Sequence, residues 1–184
     1  MILTRELISF LEGVKPALLI SGDTYSVPTL NTRNNLKPKK MPPSTQYLID
    51  KGYPFVKNIL RGVYLFFQTE EMRQDFLGNA TVTSIYKGIE YPDYDIDKIG
   101  IILGYPPIAV DYVVSTSNDP RNNPRTGVDY YGIKFVCKPS DVEACIKWCE
   151  NTYTLTDKML RWKGGLRVDG LPYALWLQKN SKQT

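Results

Sequence analysis

The chain has 184 residues and a mass of 21.0 kDa, the size of one ordinary domain that buries about two-thirds of its unfolded surface. With 42% hydrophobic and 23% charged residues, its composition excludes collagen, a coiled coil and a membrane bundle. The sequence contains no histidine, which excludes every mechanism that needs an imidazole as acid, base or metal ligand. The net charge of +4 is a weak indication of anionic partners.

The predicted elements of the first half are separated by a long proline-rich segment. Apolar residues at helical spacing predict a helix over residues 3–12, and a short apolar run predicts a buried strand over 17–20. Residues 24–43 hold four prolines among polar residues and predict a long loop. A short helix over 44–51, a strand over 63–68 and a helix capped by Thr69 and ending near Leu77 follow.

The second half alternates helices and strands without a regular βαβ repeat. We predict a strand over 81–86, a helix over 95–103 that Gly104 ends, and a helix from Pro107 to about residue 114. A second long loop over 115–129, a strand over 131–137, a helix from Ser140 or Asp141 to about residue 153 and a frayed tail over 178–184 complete the chain. The pattern predicts a single α+β domain with a mixed sheet packed by several helices.

Four segments carry a resemblance. They are Gly-Val-Lys-Pro-Ala at 13–17, Ile-Gly-Ile-Ile-Leu-Gly-Tyr-Pro-Pro at 99–107, Tyr-Gly-Ile-Lys-Phe at 131–135, and the helix that begins near Asp141. In order and spacing they resemble a family of small uncharacterised bacterial proteins, a domain of unknown function. The resemblance implies an α+β fold. Members of that family carry histidines before the Ile-Gly step and near the Lys-Pro step, whereas this chain has Asp97 in the first place, so the resemblance implies no activity here.

The three cysteines are Cys137, Cys145 and Cys149, an odd number within one short segment. This pattern differs from the disulfide framework of a secreted domain, so we expect a reducing, cytoplasmic environment. Without histidine the cysteines lack the usual partners for a zinc site or a nucleophilic thiolate, which favours ordinary burial over metal binding. No apolar run approaches the ~20 residues that cross a bilayer, and no membrane association or cofactor is expected.

Three aspartates alternate as they do at the start of a calcium-binding loop: Asp93, Asp95 and Asp97. Such a loop also needs Gly at its sixth position and Glu at its twelfth, where this chain has Lys98 and Gly104. Capping of the following helix is therefore the favoured interpretation. A metal-dependent hydrolase that uses these carboxylates remains an alternative.

Cations adjoin aromatic rings in two polar segments, and lysines cluster in a third. A cation beside a ring suits contact with a phosphate together with stacking of a base. The candidate ligand-binding residues are Arg121, Arg125, Tyr130, Tyr131, Arg161, Trp162, Lys163 and Arg167. A secondary basic patch comprises Lys37, Lys39 and Lys40.

The sequence lacks a phosphate-binding glycine loop, a dinucleotide fingerprint, a nucleophile elbow and a kinase signature. We therefore expect a non-catalytic cytosolic binding module that recognises an anionic ligand, such as a nucleotide or nucleic acid, or a partner protein. An accessory or inhibitor protein of a mobile element would have this character. Binding of RNA or single-stranded DNA is the first alternative, and the metal-dependent hydrolase is the second.

Overall fold

The structure is a computed structural model that describes residues 4–21, 41–58, 63–79, 81–86, 89–119, 121–162 and 164–180. Within these ranges the helices are α1 (Arg5–Leu11), α2 (Pro43–Asp50), α3 (Glu70–Asn79), α4 (Ile96–Ile102), α5 (Pro107–Ser115), α6 (Val142–Thr152), α7 (Asp157–Leu160) and α8 (Tyr173–Asn180). The strands are β1 (Ala17–Ser21), β2 (Phe55–Asn58), β3 (Val63–Phe67), β4 (Thr81–Tyr86), β5 (Ile89–Tyr94), β6 (Thr126–Tyr130), β7 (Ile133–Cys137), β8 (Leu166–Val168) and β9 (Leu171–Pro172).

The first sheet has the order β1-β3-β2, and both pairings are antiparallel. Its central strand β3 has the sequence Val-Tyr-Leu-Phe-Phe, in which every side chain is apolar or aromatic. Because successive side chains point to opposite sides of a strand, both faces of β3 are apolar. On one side Phe66 packs in a buried cluster with Phe10 of α1 and Leu48 of α2. On the other, Leu65 belongs to a cluster with Phe76 of α3. Helices therefore cover this sheet on both faces.

The second sheet is the β4-β5 hairpin, and the third has the order β7-β6-β8-β9. Two hairpins of the third sheet turn through two residues each, Tyr131-Gly132 and Asp169-Gly170. All four residues have positive φ, between 48° and 93°, which is the conformation of the turn type that matches the twist of a hairpin. The inner face of this sheet packs on α6 through a buried cluster that contains Val128, Ile133, Cys137, Cys145 and Ile146.

The α+β class is confirmed, although the strands form three antiparallel sheets instead of one mixed sheet. The expected loop over 115–129 is wrong at its end, because residues 126–130 form β6 with alternating buried positions. The expected strand over 131–137 begins only at residue 133, after a turn. Residues 178–180 belong to α8 and not to a frayed tail, whereas 181–184 and most of the expected loop over 24–43 lie outside the described residues.

Several local predictions are confirmed at the level of individual groups. The hydroxyl of Thr69 accepts a hydrogen bond from the backbone N–H of Met72 at 3.2 Å, as a helix cap does. Gly104 follows α4 with φ of 78°, the conformation that favours glycine at the end of a helix. No helix in the described part of the chain has the length and apolar character to cross a bilayer.

Candidate ligand-binding site

The aromatic residues of the predicted site make internal contacts. The guanidinium of Arg5 lies 6.0 Å from the centroid of the Trp162 ring, and its Nη1 donates a hydrogen bond to the Gly164 carbonyl at 2.8 Å. The N–H of Tyr131 donates to the Gly165 carbonyl at 2.7 Å, and the Tyr131 ring lies directly against Gly165. A cation and a ring do meet here, but the cation is Arg5 of α1, which is not among the predicted site residues.

Other predicted residues are spread over the third sheet. Arg125 donates to the hydroxyl of Thr116 at 3.2 Å, near the carboxyl end of α5. Because Arg125 precedes β6 and Tyr130 ends it, their Cα atoms are roughly 17 Å apart at the rise of an extended strand. Tyr130 is buried, and burial raises the pKa of its hydroxyl to about 12.

Of the remaining predicted residues, some are exposed, some lie outside the described part of the chain, and one lines a cavity. Arg121 is exposed on the loop before β6, and Arg161 is exposed directly after α7. Lys163 and the patch of Lys37, Lys39 and Lys40 lie outside the described residues. Arg167 alone among the predicted residues described here lines one of the cavities that follow.

A polar cavity of about 320 Å³ lies on the outer face of the third sheet. Asp129 of β6 is the direct neighbour of Lys134 in β7 and of Arg167 in β8, so three charged side chains form a row across three strands. Gly127 and Gly170 contribute no side chains, which leaves space beside that row. The lining is completed by Val128, Phe135 and Asp169.

Hydrogen bonds fix both carboxylates of the polar cavity. Asp129 Oδ1 accepts from the N–H of Gly132, and Asp169 Oδ1 accepts from the N–H of Gly127, each at 2.8 Å. The cations differ: Arg167 Nε is buried and has no acceptor among the described residues, and Lys134 makes no ion pair with any of them. The cavity thus presents two cations that make no ion pair with a described residue.

An apolar cavity of about 340 Å³ lies between α4, α5 and strand β7. Gly100 of α4 faces Val110 of α5 so closely that a Cβ would come within 2.8 Å of it. The ring of Tyr105 packs on that of Phe135, with centroids 6.1 Å apart. The cavity is lined almost entirely by apolar groups of Ile96, Ile99, Gly100, Tyr105, Ala109, Val110, Val113, Phe135 and Val136, together with Lys134.

Lys134 and Phe135 line both cavities, so the two spaces adjoin at β7. Lys134 projects from the outer face of its strand, where it is exposed, while Phe135 is buried. An apolar space therefore opens beside a cationic one. Sites of this kind, largely apolar with a few placed polar groups, are typical of small-molecule binding.

A buried ion pair supports the wall of the apolar cavity. Lys15 is 1% exposed, and its Nζ lies 2.9 Å from Glu6 Oε1 and 5.5 Å from the centroid of the Tyr105 ring. Burial lowers the pKa of Lys15, and the neighbouring Glu6 opposes that shift. Burial, followed by the charge of Glu6, raises the pKa of Tyr105 above its usual range. The pair thus holds a neutral phenol ring in place as part of the cavity wall.

The side chain of Asp93 lies outside the part of the chain that the structure describes, so only the cysteines and the other two aspartates can be placed. Within the described ranges, no three or more Cys, Asp and Glu side chains are grouped so that they could hold a metal ion. All three cysteines are free and buried, and a hydrogen bond with Cys145 together with burial raises the pKa of Cys137 above its usual range. Asp95 occupies the N-cap position of α4, but its side chain makes no capping hydrogen bond, so the aspartates favour this helix only through the charge of Asp95 and Asp97 near its amino end.

Comparisons of the chain with protein-family models, with curated proteins and with solved structures found no match. The resemblance to small bacterial proteins of unknown function stays a prediction. The function must therefore be argued from the two adjoining cavities.

Proposed function

We propose that this protein is a non-catalytic binding protein for a small amphipathic anion. The apolar body of the ligand occupies the space between α4 and α5, and its anionic group lies near Lys134 and Arg167. The observation that carries the proposal is that Lys134 and Phe135 line both cavities, which places an apolar cavity directly beside a cationic one. This refines the expectation of an anionic ligand by adding an apolar part to it.

The dimensions support a ligand with one ring or a short chain. A volume near 340 Å³ lies at the lower end of the range of about 300–1,000 Å³ for small-molecule sites. Full burial of a phenyl-sized group contributes about 1.5–3 kcal/mol, and a hydrogen bond to a charged group about 1.5–3 kcal/mol. Their sum of about 3–6 kcal/mol corresponds to a dissociation constant between about 6 mM and about 0.04 mM, before the cost of immobilising the ligand is subtracted.

The first test compares two ligands that differ only in charge. We would titrate ¹⁵N-labelled protein with 3-phenylpropionate and with 3-phenylpropan-1-ol and follow amide shifts by NMR. We expect the carboxylate to bind at least about fivefold more tightly, because only it can accept charge-assisted hydrogen bonds. Shifts should be largest in α4, α5 and β7.

Two variants and a control locate the binding. Lys134→Gln should remove the preference for the carboxylate, and Val113→Trp should fill the apolar cavity and weaken both ligands. Lys179→Gln removes an equal charge from the exposed end of α8, which lines neither cavity, and should change nothing. Unaltered preference in Lys134→Gln, or no binding of either ligand, would overturn the proposal.

The nucleic-acid alternative makes a different prediction in the same titration. A single-stranded oligonucleotide would displace 3-phenylpropionate, and its affinity would fall steeply with added salt because each phosphate contact releases counterions. The proposed site predicts no displacement. A displacement that disappears at high salt would favour the nucleic-acid function over the one proposed here.

A further inference from the structure

The polar cavity contains carboxylates as well as cations, and this pattern is unlike that of a site for a simple anion. Resting on the proposed function, we propose that the ligand is an apolar α-amino acid. Its carboxylate binds Arg167 and Lys134, its ammonium group binds Asp169, and its side chain enters the apolar cavity. The four charged side chains that line the polar cavity sum to zero, as do the two charges of such a ligand.

Arg167 supplies the group that a carboxylate recognises. A guanidinium presents its N–H donors in a planar fork that fits the two oxygens of a carboxylate. Arg167 Nε is buried and lacks an acceptor among the described residues, and Arg167 lines the polar cavity. Arg167 also makes no ion pair with a described residue, so a carboxylate bound at its terminal N–H groups would supply the anionic partner that the guanidinium lacks there.

Asp169 is the carboxylate best placed for the ammonium group. Its backbone has φ of 48° in the turn between β8 and β9, and its Oδ1 is held by the N–H of Gly127. Asp169 is exposed and makes no ion pair with any of the residues described, so its free carboxylate oxygen can accept from a ligand. Asp129 differs, because its Oδ2 already lies 3.9 Å from Arg5 Nη1.

The space around these groups suits a small head group. Gly127 and Gly170 both line the cavity without side chains, so backbone atoms form part of its wall. Arg167 and Asp169 lie two residues apart on β8 and the adjoining turn, at roughly 7 Å along the chain, and both face this space. A head group with adjacent opposite charges can therefore contact both. A ligand with a carboxylate alone would leave Asp169 unpaired beside a second negative charge.

Four ligands with the same phenyl group test this inference: L-phenylalanine, 3-phenylpropionate, 2-phenylethylamine and 3-phenylpropan-1-ol. We expect L-phenylalanine to bind at least about tenfold more tightly than either singly charged ligand. Asp169→Asn keeps the acceptor for Gly127 and suits the turn, so it should fold normally. It should weaken L-phenylalanine about tenfold and leave 3-phenylpropionate bound at least as tightly as before.

The outcomes separate this inference from the proposed function. If 3-phenylpropionate binds as tightly as L-phenylalanine, or if Asp169→Asn binds both as the parent chain does, the amino-acid assignment is wrong and the amphipathic-anion site stands. If none of the four ligands binds, both proposals fail. Arg167→Gln supplies a further measurement, since it should weaken the two carboxylate ligands and leave the amine unchanged.

Discussion

Replacing Gly132 by alanine should destabilise the protein for two separable reasons. Gly132 has φ of 93°, and the left-handed region costs a residue with a Cβ about 1–2 kcal/mol. The new Cβ would also overlap the carbonyl oxygen of Arg5 and come within 2.7 Å of its carbon and 3.2 Å of Glu6 N. Such overlap with backbone adds about 1–3 kcal/mol, because α1 must move away from the hairpin.

Gly170→Ala is the matched control for this prediction. Gly170 occupies the corresponding turn position with φ of 77°, and a Cβ there meets no atom within 4 Å. The two variants share the backbone cost and the loss of chain entropy on replacing glycine, so their difference isolates the contact with α1. We expect Gly132→Ala to be less stable than Gly170→Ala by about 2 kcal/mol, or by about 4–8 °C in Tm for a chain of this length.

The stability of both variants can be measured by equilibrium unfolding in urea, followed by tryptophan fluorescence. We expect the free energy of unfolding of the two variants to depend on urea concentration with the same slope. Equal losses for Gly132→Ala and Gly170→Ala would refute this reasoning, since only the new Cβ at residue 132 meets the backbone of Arg5 and Glu6. A larger loss for Gly170→Ala would refute it as well. The polar cavity gives a second readout, because the N–H of Gly132 holds Asp129 and its displacement should weaken ligand binding too.

Three further predictions concern single groups. Burial lowers the pKa of Lys15 below 10.5, so just below that pH the unfolded chain binds more protons at this residue than the folded chain does; the difference in free energy of unfolding between the parent chain and Lys15→Met should therefore grow as the pH rises towards 10.5, and a constant difference in urea unfolding would contradict the burial of this charge. Cys137, Cys145 and Cys149 are 0% exposed and should resist dithiobisnitrobenzoate at neutral pH until urea exposes all three; reaction in the folded chain would contradict their burial. Thr69→Ala should cost about 1 kcal/mol in the same unfolding assay by removing the cap of α3, and an unchanged midpoint would contradict that role.

The sequence predicts helix ends well where a single residue type determines the local backbone conformation. Thr69 was identified as a cap because its hydroxyl can accept from the first turn, and Gly104 as a helix end because it tolerates positive φ. The hairpin at Asp169-Gly170 was missed although this dipeptide between Val168 and Leu171 is a strong turn signal.

The candidate site could be predicted only in part, because it depends on strand register. The sequence analysis identified Arg167 as a candidate because it is a cation near an aromatic ring. Lys134 lies between two apolar residues of β7, and this alternation predicts only that its side chain faces solvent. Its neighbours across the sheet are set by the pairing of β7, β6 and β8, which no short segment encodes. Arg5 was missed for the same reason, since its partners Gly164 and Trp162 are distant in sequence.

The contacts of α1 carry a consequence for the order in which the chain can acquire its structure. Arg5 bonds to a carbonyl 159 residues later, and Glu12 pairs at 2.6 Å with Lys158, 146 residues later. During synthesis on the ribosome, both partners emerge well over a hundred residues after α1. Helix α1 therefore gains these attachments only once the segment around residues 158–164 has been made, so its docking depends on contacts between distant parts of the chain.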